Sequence, residues 1–367
     1  MDPFVNVDLL DQSGSGQGEV AALLLQQRRL DTGQMRPFIE TDENSPYFGY
    51  PCITVFKGGD PKKEASYSTM PITTQAVLRR DEWLALDEVL VTVARARLGG
   101  IQDLIDNNLT YNLGNALGTT VLEWHDVSDS MSAIVSMDGV TRGPGDRPKF
   151  TSNYIPVPVI HSDFEINLRQ LESSRKLGNP LDTTMVEQST RRVMETLEDM
   201  LFTDTEYSFG NGTIYSYLNH PDINTITLTV DWDASAKTGE DIVDEVIAMK
   251  QALIEAKQFG PYMIYIPTGY ETKLDEDYRA NYPKTTRQRI MEIDGIKGVK
   301  VIDRLTADNV LMVSMTSTTV QLVRGLPIQV VEWSTEGKWI TKYKIVTIQV
   351  PRVRSDQDGN SGIVLLA

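Results

Sequence analysis

Three histidines, one cysteine and several runs of acids are the residues of this 367-residue chain best suited to do chemistry. His125, His161 and His220 lie far apart, and none has a neighbour at metal-ligand spacing. HExxH, paired cysteines and His-x-His are all absent, so the spacing offers no zinc site. GSGQGE (13–18) holds glycines but follows no strand, and reads as a linker. Neither the G-x-x-x-x-G-K-[ST] phosphate loop nor a G-x-S-x-G nucleophile elbow occurs. DWDASAKTGED (231–241) opens like a calcium loop. It lacks the central glycine, and Ile242 stands where the bidentate Glu belongs, so it reads as a turn. DQDGN (356–360) reads the same way. Glu198/Asp199 and Asp275/Glu276/Asp277 set acids side by side. General acid–base work needs carboxylates in unlike environments, and adjacent acids on a helix read instead as a solvated face. Cys52 reads as a small core residue. The residues therefore give no catalytic, cofactor-binding or metal site and no cofactor, and the expectation is a structural protein, not an enzyme.

Acidic residues outnumber basic ones 51 to 35, for a net charge of −16. A tight nucleic-acid binder normally carries a basic face, and this balance argues against one. The charge selects nothing else, since a great many ordinary enzymes share such a balance. One cysteine excludes an internal disulfide framework and favours synthesis in a reducing compartment. No apolar run is long enough to span a bilayer, and the acidic start MDPFVNVDLLDQ does not read as a secretory signal.

The elements that would position these residues are legible from periodicity. Pro156 and Pro158 impose extended geometry before a helix that starts at Pro180 and Asp182. From there Met185, Val186, Ser189, Val193, Leu197, Met200 and Leu201 form one apolar stripe, on a helix about 34 Å long. A second helix runs from about Gly239 to Phe259. Thr238 and Asp241 form a capping box there, and Ile242, Val246, Met249, Leu253 and Ile254 form its stripe. Residues 79–107 read as an amphipathic helix ending near Gly99-Gly100. Its apolar face comprises Trp83, Leu84, Leu86, Val89, Leu90, Val93 and Leu98; Arg79, Arg80, Arg95 and Arg97 lie on a solvated face. Strands are expected around 119–124, 131–137 and 148–155, with turns at Asp138-Gly139 and Gly143-Pro144-Gly145-Asp146, giving a long hairpin with little core of its own. Further strands are expected at 223–230, 262–267, 295–305, 309–315, 318–325, 327–333 and 339–350, with a helix near 269–279. Residues 1–75, with a short helix at 19–29 and closely spaced Pro and Gly, read as an arm ordered by packing on neighbouring copies.

The run YIPVPVIHSDFEINLRQLESSRKLGNPLDTTMVEQSTRRVMETLEDMLFTD (154–204) resembles the major capsid proteins of tailed bacteriophages, of the Hong Kong 97-type fold. The carrying residues are Pro-x-Pro, Asp163-Phe-Glu-Ile, Leu168-Arg169, Gly178, Pro180-Leu-Asp and Glu198-Asp199-x-Leu-Phe. The resemblance is to the linocin-like branch, which includes the encapsulin shells. It implies an α+β chain in six parts. These are an N-terminal arm (1–75), an N-terminal helix region (76–117) and an extended loop (118–158). A peripheral domain (159–235) follows, with spine helix 182–204, then a mixed α/β axial domain (236–325) and return strands (326–367). It also implies self-assembly into pentamers and hexamers of an icosahedral head enclosing double-stranded DNA. Portal, scaffold and cement proteins would be partners, no membrane would be involved, and the chain would be made in a host cytoplasm and end in a virion. The encapsulin alternative implies a compartment holding enzyme cargo. An α+β enzyme with an unrecognised site is the third reading.

Overall fold

The computed structural model describes residues 37–43, 45–56, 67–71, 78–79, 82–83, 85–86, 89–90, 99–128, 135, 137, 149–176, 183–279, 283–334 and 339–367. In chain order the strands and helices begin with β1 (Phe38–Ile39), β2 (Pro51–Phe56), β3 (Tyr67–Pro71), α1 (Gly100–Asp106) and β4 (Thr110–Asn112). Then come β5 (Val121–Val127), β6 (Phe150–Pro156), β7 (Ile160–Asn167), α2 (Leu168–Lys176) and α3 (Thr184–Phe202). Next are β8 (Tyr207–Phe209), β9 (Gly212–Ile214), β10 (Asn224–Ile226), α4 (Gly239–Glu255), β11 (Tyr262–Ile266) and α5 (Glu271–Leu274). The chain closes with α6 (Thr286–Met291), β12 (Ile296–Val301), β13 (Val310–Ser314), β14 (Val320–Ser334), β15 (Ile340–Val353) and β16 (Ile363–Leu366).

These elements fall into two compact units, each drawn from several stretches of chain. The first draws on described residues of 1–97, 159–194 and 326–347. In it β7 pairs antiparallel with the first half of β15. Phe164 and Tyr343 are partners in that register and stack with ring centroids 5.1 Å apart. β1, β2 and β3 form an antiparallel sheet that buries Phe38 and Cys52. The Trp83 indole N–H donates to the Pro37 carbonyl at 3.0 Å, so part of the aromatic-rich N-terminal segment packs on its own chain. Phe48 and Tyr50 stay exposed.

The second unit draws on 98–158, 195–325 and 348–367. Its centre is a five-stranded sheet in the order β10-β16-β13-β11-β12. Every residue of β11 and of β13 is buried, as a short unbroken apolar run predicts for a strand covered on both faces. α4 packs Ile242, Val246, Met249 and Leu253 into the same core. Its capping box forms as expected: the Thr238 hydroxyl accepts from the Asp241 N–H at 3.2 Å, and the Asp241 carboxylate accepts from the Thr238 N–H at 3.0 Å. Ile254, expected in the stripe, is exposed, and Val243 is buried.

Several expectations are corrected. The helix expected to stop at Gly99-Gly100 is followed by α1, which begins at Gly100 because a carboxylate satisfies its first N–H groups, as described below. The two strands expected at 318–325 and 327–333 are one, β14, since the residue before Pro327 is held extended and needs no break. At Gly325 a Cβ would meet the Ala116 Cβ at 2.2 Å, so close approach explains the glycine better than a strand end does. β16, unread in the sequence, sits between β10 and β13. The helix near 269–279 shrinks to a 3-10 turn and α5, and α6, which has its own Thr285/Gln288 capping box, was not anticipated. Helix 19–29, the turns at 138–139 and 143–146, Leu84, Val93 and Leu98, Arg80, Arg95 and Arg97, the Pro180/Asp182 start signal and, except for Val135 and Met137, the strand expected at 131–137 lie outside the described residues.

Candidate functional site

Among the described residues, the chemistry-bearing side chains stand in separate local contacts. His125 Nδ1 lies 3.0 Å from the Ser152 hydroxyl, its partner across the β5–β6 pair. His161 stands 3.4 Å from Asp163 at an exposed strand position. His220 is buried, accepts at Nδ1 from the Asp222 N–H at 3.3 Å, and burial lowers its pKa. Among the described residues, none of the three joins a cluster of potential metal ligands. The turn at 231–236 does bring Asp231 and Asp233 within 4.8 Å of Asp308, a juxtaposition that spacing alone could not show. All three are exposed, and the Tyr270 hydroxyl donates to Asp308 at 3.1 Å. Cys52 is buried, and its thiol is pushed up by that burial and by Glu40. Asp275 and Glu276 are exposed and paired with Arg287 and Lys273, as a solvated face predicts.

Glu198 departs from expectation. It belongs to the buried side of α3, beside Met194, Leu197, Leu201 and Phe202, whereas Met185, expected in the stripe, is exposed. Its Oε2 accepts from the Gly100 N–H at 3.3 Å and its Oε1 from the Ile101 N–H at 3.2 Å, closing the open start of α1. Burial pushes the carboxyl up to about 7 against the opposing pull of those two donors, with Asp103 and Asp303 adding to the rise. Asp103 is buried too; it accepts from the Tyr265 hydroxyl at 3.1 Å and pairs with Lys300. Phe202 packs edge to face on Tyr217 and Tyr265, with ring centroids 5.5 Å and 5.0 Å apart. A Cβ at Gly100 would meet the Phe202 ring at 2.4 Å, so only glycine lets α1 approach the helix this closely. The signal was present in the sequence: Glu198 is four residues from both Met194 and Phe202, on the apolar side. This network is a structural joint that fixes α1 on α3.

The other distinctive feature is the β5–β6 ribbon. Its register runs from Val121–Pro156 to Val127–Phe150, pairing the strands expected around 119–124 and 148–155. Burial fades along it: Ile155 and Pro156 are buried, while Val127 and Phe150 are 53% and 67% exposed. Val135 and Met137, further along the chain, are also exposed. The root is fixed by β9, where a Cβ at Gly212 would lie 2.9 Å from the Tyr154 backbone. Arg352 stacks over Tyr111 and Trp124, each at 5.2 Å, and its pKa is lowered to about 10 by burial and by Arg354. A ribbon of two strands with exposed apolar residues at its far end has little to stabilise it internally, and offers edges and side chains to another surface.

Known proteins share this architecture. The type 1 encapsulin shell protein EncA of Myxococcus xanthus is 24% identical over 235 residues, covering 64% of this chain and 71% of EncA. The virus-like particle from Pyrococcus furiosus superposes with a TM-score of 0.58 at 15% identity, covering 78% of this chain and 99% of that one. The capsid of Myoviridae phage XM1 superposes with a TM-score of 0.55 at 11% identity, over 70% of this chain and 88% of that one. The fold is the α+β Hong Kong 97-type fold of phage capsids and encapsulin-like shells, as the 154–204 run implied. Residues 72–365 match the family of unknown function DUF6260, and the chain belongs to that family.

Proposed function

We propose that this chain is a shell-forming subunit, the major capsid protein of a phage head, and that it works by geometry and not by catalysis. The observation that carries the reading is the superposition on almost the whole length of a virus-like-particle chain and most of a phage capsid chain. The exposed ribbon supports it. Laid over a neighbouring copy, it would bury Val127, Phe150, Val135 and Met137, which the subunit alone leaves in water. Copies would join as pentamers and hexamers around the unit that holds the five-stranded sheet, with residues 1–75 lashing neighbours. The net charge of −16 suits an inner wall that does not grip DNA. Portal, scaffold and cement proteins would complete such a head, and the virion would be its destination.

A compartment holding protein cargo is the second reading, favoured by the encapsulin relative. Nuclease-treated particles purified from a host carrying the whole gene neighbourhood separate the two: protected double-stranded DNA upholds the head, and protected protein with no DNA upholds the compartment. Shortening the loop between Ser136 and Lys149 tests the ribbon's part in either. We expect a folded subunit with at least a ten-fold loss of particles by light scattering; undiminished particle yield would remove the ribbon from assembly.

A further inference from the structure

The ribbon has too little core to hold its own direction, so something must aim it. The turn between β15 and β16 does. The Gln357 side-chain amide nitrogen shares its two N–H donors among the Asp126 carbonyl at 3.0 Å, the Lys149 carbonyl at 3.2 Å and the Thr151 hydroxyl at 3.0 Å. Asp126 lies on β5, Thr151 is its register partner on β6, and Lys149 immediately precedes β6. One side chain thus ties both strands near the ribbon's outer end. Three residues earlier, Arg354 Nη2 donates to Asp126 Oδ1 at 3.0 Å, and the other Asp126 oxygen accepts from Asn153.

The turn that carries these groups is itself cross-linked by hydrogen bonds. Asp356 Oδ1 accepts from the N–H groups of Asp358 at 3.0 Å and Asn360 at 2.8 Å, and Asp356 Oδ2 accepts from the Asn360 amide at 2.7 Å. Gly359, at φ +79°, supplies the left-handed step. Ser355 bridges to Ser361 and hydrogen-bonds to Asp222. Beyond Ser361 the chain enters β16, flanked by β10 and β13 in the five-stranded sheet. The path from fixed sheet to ribbon is therefore β16, the Asp356 turn, then Gln357 and Arg354.

We infer that Gln357 and Arg354 are positioning residues for assembly: the turn at 354–360 braces the ribbon against the rigid sheet and sets the direction in which it meets a neighbouring copy. The partner is a second copy of this chain, and this rests on the shell reading above. Gln357 is exposed, so its bonds add little to global stability, and their loss acts on the ribbon alone.

Hydrogen–deuterium exchange on the unassembled full-length chain tests it, with particle formation measured in parallel. Gln357→Glu keeps the size and removes the donors; Gln357→Ala removes the side chain. Both should speed exchange of the 121–127 and 150–156 amides by about five-fold, leave the five-stranded sheet unchanged, and reduce the yield or uniformity of particles. Asp358→Ala, in the same turn, should leave ribbon exchange as in the wild type. Unchanged ribbon exchange in both Gln357 variants overturns the brace. Faster ribbon exchange with normal particles from those variants overturns its role in assembly. Faster exchange in a chain whose wild type forms no particles upholds the brace and overturns the shell reading.

Discussion

The five-stranded sheet and the β5–β6 ribbon belong to one compact unit and are built on opposite terms. In the sheet, β11 and β13 are buried at every position, and α4 covers them with Ile242, Val246, Met249 and Leu253. In the ribbon, β5 (VLEWHDV) and β6 (FTSNYIP) mix polar with apolar residues, and burial runs out before Val127 and Phe150. The sheet completes its apolar contacts within the subunit. The ribbon keeps its hydrogen-bonded ladder but leaves apolar side chains for another surface. On the shell reading proposed above, such a chain would separate folding from assembly, with the sheet deciding whether a subunit exists and the ribbon what it can join.

The contrast breaks most plainly at the centre of the sheet. Ile264→Asp would place an unpaired charge at a fully buried position, and no soluble folded chain is expected in the supernatant after expression. A normal yield would mean β11 is not the core. Leu253→Ala, on the covering helix, should cost about 2–5 kcal/mol in denaturant unfolding.

Glu198 gives an effect that depends on pH. Its folded pKa, about 7, lies above its ordinary value of 4.5, so the native chain binds more protons than the unfolded chain between those values. Stability from this group is full below 4.5 and falls as pH rises towards 7. Against Glu198→Gln, the wild type should lose on the order of 3 kcal/mol across that interval. Parallel pH profiles for the two proteins would show that the carboxyl is not held in its protonated form. The smallest effect on the subunit belongs to the ribbon: Val127→Ser with Phe150→Ser should move the unfolding free energy by no more than about 0.5 kcal/mol, yet lower particle yield. A large loss of subunit stability would mean the ribbon's outer end is part of the core.

Much of the sheet was legible because a fully buried strand writes itself as an unbroken apolar run, as YMIYI and VLMVS do. The capping box at Thr238 and Asp241 was legible because it depends on three-residue spacing alone. The pairing of β5 with β6 joins the strands expected around 119–124 and 148–155. What failed was what long-range contact decides. Glu198's spacing puts it on the apolar side of α3, but the N–H groups it caps lie 98 and 97 residues away, where no local pattern points. β16 is too short to mark itself, and only pairing with β10 and β13 makes it central. Gln357 sits in a turn that sequence reads correctly, but its targets at Asp126 and Lys149 lie more than 200 residues away.

The most direct test of the shell account is electron microscopy of the purified full-length chain, in negative stain, with scaffold candidates added. The account predicts closed hollow particles, or rings with five- or six-fold symmetry. A uniform field of monomers or dimers under every assembly condition would contradict it.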